Sequence, residues 1–298
     1  MAVNKVLVAD DFSDDSKNGF LRSTLLQDLG AETARRLKAN MSLLYAVDIP
    51  KKYFNQKEII MGPDPKRLAR LPIKTEVEIV NGRPVESILK RDKQDSALEL
   101  IILGTRGHRG VKKAILGSVS EEVLRNAQHP VMVLGPQALD EKYKLPASRK
   151  LKILVVTDLT EASEAAERFA LKLAKQLPAD VVIAHSVGDT IRRLKDMVYT
   201  QRIVNPQLDR IFDEIKLTAE ESMARKVKAF SAQKIKVEPY LSYDEREVTK
   251  DLKDESWKHC DLIVMGTHSR NRILKAFLGS TARRTILSAT IPVVIVRS

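Results

Sequence analysis

Two stretches of similar composition combine glycines with positive charge. The first, GTRGHRGVKKAILGS (Gly104–Ser118), contains four glycines and four Lys or Arg residues but no acidic residue. The second, GTHSRNRILKAFLGS (Gly266–Ser280), has the same length and the same ends. Glycines let an anion approach backbone N–H groups, and a helix N-terminus supplies further N–H donors. The composition therefore predicts binding of a phosphate-containing ligand.

The first stretch lies between an apolar run and a predicted helix. Gly104 ends the run ELIILG, Gly107 follows three residues later, and Gly117 directly precedes the helix. SVSE (Ser118–Glu121) has the spacing of a capping box, and its two serines add hydroxyl donors. The basic residues are Arg106, Arg109, Lys112 and Lys113, with His108 among them. This context favours a polyphosphate site over ordinary turns on a basic surface, although the stretch is not a P-loop.

The sequence contains two copies of one pattern. KVLVADDFSDDS (Lys5–Ser16) resembles KILVVTDLTEAS (Lys152–Ser163), and AILGSVSEEVLRNAQHPVMVLG resembles AFLGSTARRTILSATIPVVIVR near the end of each copy. A repeat of about 150 residues is a domain duplication, because solenoid repeats are much shorter. We predict domains at residues 1–140 and 150–298, joined within the polar segment Gly135–Lys150.

Strand-like and helix-like segments alternate in both copies. Continuous β-branched runs such as KILVVTD are typical of strands buried on both faces. The alternation predicts an α/β fold of two tandem Rossmann-like domains, each a five-stranded parallel sheet with helices on both faces. Ligands of such sheets bind beyond the carboxyl ends of the strands, where the strand order reverses. Asp11 and Asp158 follow the first strands and the glycine stretches follow the fourth, so these residues fall where a ligand is expected.

The second copy contains additional helical sequence. A long helical stretch is predicted at about Asn205–Phe230, with an apolar stripe that we expect to pack on its own sheet. Another helix is predicted near Glu245–Lys258. The last strands, PVMVL and PVVIV, are predicted as sheet edges, and exposed apolar edges invite pairing.

The composition suits two globular domains of ordinary size. The chain has 298 residues, 43% hydrophobic residues and a net charge of +12. Residues 1–150 carry 26 basic and 19 acidic side chains and residues 151–298 carry 25 and 20, so the positive excess is shared and suits small anions better than nucleic acid. A single cysteine fits a reducing compartment, and no leader or membrane-spanning stretch is seen. We therefore expect a cytoplasmic protein without membrane or nucleic-acid partners.

Taken together, these motifs resemble the universal stress protein family in its tandem two-domain form. Gly104-Thr-Arg-Gly107, nine residues and then Gly117-Ser118 match the family's G-x-x-G, nine residues, G-[S/T]. The segment Asp11–Ser16 resembles the family's D-x-S-x-x-S, and GRPVESIL and HPVMVL also fit. The resemblance implies an adenine nucleotide alpha hydrolase-like fold, ATP as the ligand, with or without Mg²⁺, and a regulatory role in the stress response without strong ATP hydrolysis. It also implies that the two halves pack together through the edge strands PVMVL and PVVIV.

The resemblance also implies which residues contact the nucleotide. Residues after strand one lie near the nucleoside, residues ending strand two lie beside the adenine, and the glycine loop with the following helix start holds the phosphates. In the first copy these residues are Ala9, Asp10, Asp11, Ala46, Val47, Leu103, Gly104, Arg106, Gly107, Gly117, Ser118, Val119 and Ser120. Their counterparts in the second copy are Asp158, Gly266, Gly279, Ser280 and Thr281.

The second copy departs from the pattern at three positions. Ser269 stands where the first copy has Gly107, Ala282 removes the hydroxyl of Ser120, and Arg283 replaces Glu121. An arginine at a helix N-terminus opposes the helix dipole unless an anion lies there. We therefore predict that the nucleotide binds chiefly to the first copy.

Other interpretations of the sequence remain open. A nucleotide hydrolase or nucleotidyl transferase of the same fold would need a base, for which Asp11 is the strongest candidate. A third interpretation is a nucleic-acid binder that uses the net charge of +12, against which the 5% aromatic content and the lack of a basic tail argue. A further one is an interaction scaffold that binds no nucleotide, and a homodimer is compatible with any of them. His259 and Cys260 lack the partners of a metal site, so we predict no metal centre and expect Cys260 to pack in the core.

Overall fold

The computed structural model describes residues 4–11, 17–50, 64–105, 116–200, 208–244, 259–267 and 278–297, and the statements below concern these residues. The first half runs through β1 (Lys5–Ala9), α1 (Lys17–Leu37), β2 (Asn40–Val47), the one-turn α2 (Pro65–Leu68), β3 (Thr75–Asn81), α3 (Pro84–Gln94), β4 (Leu98–Gly104), α4 (Ser118–Asn126) and β5 (Val131–Leu134). The short α5 (Pro136–Asp140) follows.

The second half repeats this order with one additional long helix. It comprises β6 (Leu151–Val156), a 3₁₀ turn (Glu161–Ser163), α6 (Glu164–Gln176), β7 (Ala179–Ser186), α7 (Val187–Thr200), α8 (Leu208–Ser231), β8 (Val237–Ser242), β9 (Leu262–Gly266), α9 (Ser280–Ser288) and β10 (Val293–Val296).

Both halves have the same strand order. The first runs β3-β2-β1-β4-β5 and the second β8-β7-β6-β9-β10, with parallel pairing inside each half. The predicted α/β fold with two five-stranded parallel sheets is thereby confirmed. The order reverses between β1 and β4 and again between β6 and β9, which marks two positions where such sheets bind ligands.

The two sheets are joined edge to edge. β10 pairs antiparallel with β5, with Val294 opposite Met132, so that the ten described strands form one sheet. The outer edges are β3, with Glu76 and Glu78 on its strand, and β8, which contains Pro239. Charged residues and proline on an edge strand discourage further pairing. Among the described helices, none is both long and apolar enough to cross a membrane.

Helices cover both faces of the sheet. On one face α1 and α6 contribute Leu25 and Leu173 to the core, and on the other α4 and α9 contribute Val123 and Ile286. All four side chains are at most 1% exposed. Because both faces are covered, the strands between them are continuous apolar runs, as their sequences indicated.

The predicted joint, Gly135–Lys150, is packed against both halves. Arg36 of α1 donates to the backbone carbonyls of Pro146 and Arg149. The Arg149 guanidinium then forms two hydrogen bonds, of 2.8 and 2.6 Å, with the carboxylate of Asp261 in the second half. The segment therefore fixes the halves together, because its polar residues bond to the domains and not to solvent alone.

Two helices lie between β7 and β8 where one was predicted. The long α8 agrees with the predicted stretch and packs on its own sheet through Ala219, Met223 and Phe230. The helix α7 was missed, because its first residue, Val187, reads as the last residue of the strand pattern and its second residue is Gly188, a poor helix former. The helix predicted near Glu245–Lys258 lies outside the described residues.

Candidate functional site

A cavity of about 240 Å³ lies where the strand order of the first half reverses. It is bounded by the ends of β1 and β4 and by the start of α4. Its apolar wall is formed by Ala9, Leu26, Leu44, Ala46, Pro84, Ile88, Leu103 and Val119. Its polar lining consists of Asp10, Asp11, Arg22, Gly104, Gly117, Ser118 and Ser120. An apolar wall with a few polar groups at one end is typical of a small-molecule site.

Asp10, at the end of β1, is buried and tied to α1. Its side chain is held by the Ser23 hydroxyl and by Gln27 Nε2 at 3.1 Å, and its own backbone N–H donates to the Leu44 carbonyl at 3.1 Å. Arg67 extends the network, since its Nε donates to Gln27 Oε1 at 3.2 Å. These bonds satisfy a carboxylate that is only 6% exposed and fix the floor of the cavity.

The next residue, Asp11, forms an ion pair with Arg22 of α1 inside the cavity. The Arg22 side chain passes close to the end of β4, where its Cδ lies 3.5 Å from the position that a Cβ on Gly104 would take. Leu26 Cδ1 lies 3.1 Å from the same position. An added Cβ at 104 would therefore press on Leu26 and touch Arg22 at an ordinary contact distance, which gives this glycine a steric role.

The start of α4 differs from the predicted capping box. Gly117 is the N-cap and Ser118 is already the first helical residue, so no side chain caps the helix. The Ser120 hydroxyl turns away from the helix and donates to the Gly104 carbonyl at 2.8 Å, which ties α4 to β4. The first intrahelical bond runs from the Glu121 N–H to the Gly117 carbonyl at 2.9 Å. The preceding backbone N–H groups have no carbonyl within the helix and face the position where an anion is favoured.

Gly117 is not required for its backbone angles. Its φ of −65° and ψ of 148° are open to any residue. Its missing side chain instead leaves the end of the helix uncovered beside the cavity. A glycine here therefore serves the approach of a ligand rather than the turn.

Most of the predicted site residues of the first half meet in this cavity. Ten of them line it, namely Ala9, Asp10, Asp11, Ala46, Leu103, Gly104, Gly117, Ser118, Val119 and Ser120. Val47 is not part of the lining, and its carbonyl accepts from Gly82. Arg106 and Gly107 lie outside the described residues, as do Arg109, Lys112 and Lys113.

Five lining residues were not predicted, and they are Arg22, Leu26, Leu44, Pro84 and Ile88. Arg22, Leu26 and Ile88 project from helices. Their spacing along the sequence indicates on which face of the helix they lie, but not that this face borders a cavity. Leu44 is one of many apolar strand residues. Pro84 lies in GRPVESIL, a segment that carries the family resemblance, and its position after a parallel strand was the one available signal of a place at the ligand edge.

The corresponding carboxylate of the second half is closed on its own loop. Asp158 Oδ1 accepts from the Thr160 N–H at 3.0 Å, and from the Thr160 and Ser163 hydroxyls at 2.7 Å each. Its Oδ2 is inaccessible to solvent and has no partner among the described residues. Asp158 is thus engaged within the turn, whereas Asp11 lines a cavity.

The end of the second strand also differs between the halves. In the second half α7 begins directly after β7, with the Asp189 N–H bonded to the Ser186 hydroxyl at 3.1 Å. Val187 and Ile191 of this helix pack against Leu159, which follows Asp158. In the first half, residues 48–50 continue as irregular chain after β2. Apolar side chains therefore cover the ligand edge of the second half near β6.

The start of α9 repeats the backbone of α4. Gly279 is its N-cap and Ser280 and Thr281 follow as the first helical residues, while Gly266 ends β9. Arg283, expected to oppose the helix dipole, has an anionic partner, since its Nη1 lies 3.2 Å from Glu121 Oε1 of the first half. The two helix starts are thus linked across the β5–β10 junction.

Cys260 packs in the core, as its sequence context predicted. Cys260 is 3% exposed, and burial raises the pKa of its thiol to about 11. Within the described part of the chain, no cluster of His, Cys, Asp and Glu has the arrangement of a metal site.

Comparison with known proteins identifies the family. A family model described as the universal stress protein family matches residues 2–135 and 151–297. A universal stress protein of Mycolicibacterium smegmatis is 26% identical over 203 residues, 67% of this chain and 62% of that relative, so the match spans less than two thirds of the relative's length. A universal stress protein of Mycobacterium tuberculosis is 24% identical over 222 residues, 74% of this chain and 68% of its own.

A solved structure shows a similar fold over the whole chain. The crystal structure of a universal stress protein from Archaeoglobus fulgidus superimposes with a TM-score of 0.64 at 20% identity, covering 100% of this chain and 99% of that one. The two regions matched by the family model correspond to the two halves of the sheet. The chain belongs to the universal stress protein family, with two of its domains in tandem.

Proposed function

We propose that the first half binds an adenine nucleotide, with ATP as the ligand, and that the protein acts as a nucleotide-dependent regulator. One observation carries the proposal: a cavity with an apolar wall opens onto the uncapped N-terminus of α4. The apolar wall suits a flat base, and the free N–H groups of the helix start suit phosphate oxygens. The choice of adenine comes from the family resemblance of the sequence.

The charges of the cavity support a ligand with both a sugar and phosphates. Asp11 can accept hydrogen bonds from ribose hydroxyls, and Arg22 offers a guanidinium to phosphate oxygens. Mg²⁺ would accompany the phosphates as part of the ligand, since it usually binds through substrate phosphates and few protein ligands. The residues of the cavity therefore fit ATP, with or without the metal ion.

We infer that the second half does not hold a nucleotide tightly. Its backbone at the α9 start is suited to phosphate, but Asp158 is closed within its turn and Val187 packs over the ligand edge. Ala282 lacks the hydroxyl with which Ser120 ties α4 to β4. The predicted difference between the copies is therefore supported by residues other than the glycines.

The regulatory part of the proposal concerns the glycine stretch after β4. Nucleotide at the α4 start would contact this stretch and change a surface for a partner or a second copy of the chain. The two halves would respond as one unit, because β5 pairs with β10 and because Arg36 and Arg149 fix the connecting segment. We propose the cytoplasm as the place of this activity.

We propose binding rather than turnover as the main activity. Hydrolysis or nucleotidyl transfer would need a positioned base, and Asp11 is already paired with Arg22. At most slow ATP hydrolysis is expected from this arrangement.

Titration calorimetry with Mg²⁺-ATP on matched variants tests the proposal. We expect one site per chain in the wild type, loss of binding in Gly117→Val, and unchanged binding in Gly279→Val. Both glycines are N-caps with ordinary backbone angles, so both variants are expected to fold. Two tight sites, or binding that survives Gly117→Val but not Gly279→Val, would overturn the assignment. No binding by the wild type would favour an interaction scaffold instead.

A further inference from the structure

Arg22 holds a position that the sequence motif does not explain. It projects from α1, yet its side chain crosses to the end of β4 and its guanidinium pairs with Asp11. The Arg22 side chain is only 13% exposed, whereas that of Asp11 is 35% exposed. A guanidinium that has lost most of its water requires an anionic partner, and in this structure the carboxylate of Asp11 supplies it.

The same cavity joins this ion pair to the α4 start. Ser118 and Ser120 line it together with Arg22, and the Ser120 hydroxyl is bonded to the carbonyl of Gly104, the residue that the Arg22 stem passes. Arg22 is therefore the described cation nearest in the lining to the proposed position of the phosphates. A guanidinium recognises carboxylate and phosphate with the same two-pronged geometry.

We propose that Arg22 is a specificity-determining residue that exchanges Asp11 for phosphate when a nucleotide binds. The inference rests on the function proposed above. Without ligand, Asp11 and Arg22 satisfy each other. With a nucleotide, phosphate oxygens take the guanidinium and the nucleoside hydroxyls take the freed carboxylate, so that neither charge is left without a partner.

The exchange selects for ligands that carry both phosphate groups and nucleoside hydroxyls. Inorganic polyphosphate can take Arg22 but separates Asp11 from its cation and offers that carboxylate no hydrogen-bond donor in exchange, which is costly. A nucleoside without phosphates can reach Asp11 only by separating it from Arg22. The ion pair thus disfavours both fragments and favours the intact nucleotide, a form of specificity obtained by penalising the wrong ligand.

A second arginine offers a matched control. Arg35 lies on the same helix as Arg22, and its Nε and Nη2 donate to the Glu32 carboxylate at 2.8 and 2.6 Å. Arg35 does not line the cavity. Its replacement removes a charge of the same sign from the same helix without touching the proposed ligand position.

Titrations of the full chain with ATP, inorganic tripolyphosphate and adenosine test the exchange. In Asp11→Asn we expect tripolyphosphate to bind about tenfold more tightly, because Arg22 is no longer neutralised, and adenosine to bind more weakly. In Arg22→Gln we expect ATP and tripolyphosphate to bind at least about tenfold more weakly. In the double variant Asp11→Asn/Arg22→Gln the gain of Asp11→Asn should vanish, and Arg35→Gln should leave all three affinities unchanged.

The outcomes separate this proposal from the proposed function. If ATP binds once and is lost in Gly117→Val, but Asp11→Asn leaves tripolyphosphate binding unchanged or weaker, the exchange is overturned and the function stands. If the wild type binds no ATP, both fall. Circular dichroism of each variant identifies an unfolded protein, and Arg22→Lys then serves as the second variant, with retained charge but lost two-pronged geometry.

Discussion

The starts of α4 and α9 have nearly the same backbone but different surroundings. Gly117 has φ −65° and ψ 148°, and Gly279 has φ −56° and ψ 146°. The two halves differ in the carboxylate that follows the first strand. Asp11 lines a cavity together with Arg22, whereas Asp158 is bonded within its own turn. The comparison indicates that a Gly-Ser motif sets the backbone of a potential anion site, while side chains from other elements decide whether a ligand can reach it.

The buried polar groups beneath the two sites differ in the same way. In the first half Asp10 is held by neutral partners, Ser23 and Gln27. In the second half Thr157 donates to Glu167 at 2.7 Å, and Glu167 pairs with Lys226 of α8 at 2.6 Å. The second half thus replaces the floor of a cavity with an internal ion pair supplied by its additional helix.

The largest expected effect concerns this ion pair. Lys226→Met should lower the free energy of unfolding by about 3 kcal/mol, because Glu167 would remain buried without its cation. The matched change Arg67→Met in the first half should cost less, since Asp28 is 40% exposed and the other partners of Arg67, Gln27 and the Thr24 carbonyl, are uncharged. Urea unfolding of both variants measures the difference. Equal losses would contradict the contrast between the two halves.

Cys260 lies in the second half, so the rate at which its thiol is alkylated measures how readily that half opens. Because burial raises the pKa of its thiol to about 11, its thiolate fraction at pH 8 should be about 100-fold below that of an ordinary cysteine. Alkylation should be slow in the native protein and fast in denaturant. The raised pKa favours the folded state at neutral pH, and this contribution is lost as the pH rises from about 9 through about 11. Rapid native alkylation at pH 8 would show that the second half opens readily.

Restoring the motif should not restore a second site. Ser120→Ala should weaken ATP binding about fivefold to tenfold, since the bond that ties α4 to β4 is lost. Ser269→Gly, Ala282→Ser and Arg283→Glu together remove the three departures of the second copy from the motif, yet calorimetry should still report one site. Two sites in that variant would mean that the motif, not its surroundings, decides binding.

The smallest effect is expected at the junction of the halves. Arg283→Ala removes the contact with Glu121, but the Arg283 side chain is 44% exposed, so the loss should stay under about 1 kcal/mol and shrink at high salt. ATP affinity should change less than about threefold. Glu121→Gln, which also releases Arg125, is the companion variant. A larger change in affinity would indicate that the second half acts on the nucleotide through this ion pair.

Several structural features could be predicted because they depend on local pattern. Continuous apolar strands gave the two parallel sheets, and the strand ends placed Asp11 and Gly104 at the same edge. The capping box failed, because Ser118–Glu121 has the right spacing but the helix begins one residue earlier than the motif requires. The helix α7 was missed, since its first residue, Val187, continues the apolar pattern of β7.

The sequence alone determined the duplication, the strand alternation, and the presence of glycines and hydroxyls at both helix starts, because these are properties of order along the chain. The tertiary structure decided what surrounds each motif. Arg22, five residues into a helix, reaches a strand end through packing alone, and Arg283 finds its anion only because β10 lies beside β5. Contacts between distant elements depend on how helices lie across the sheet, and that arrangement is set by packing of the cores rather than by any local pattern.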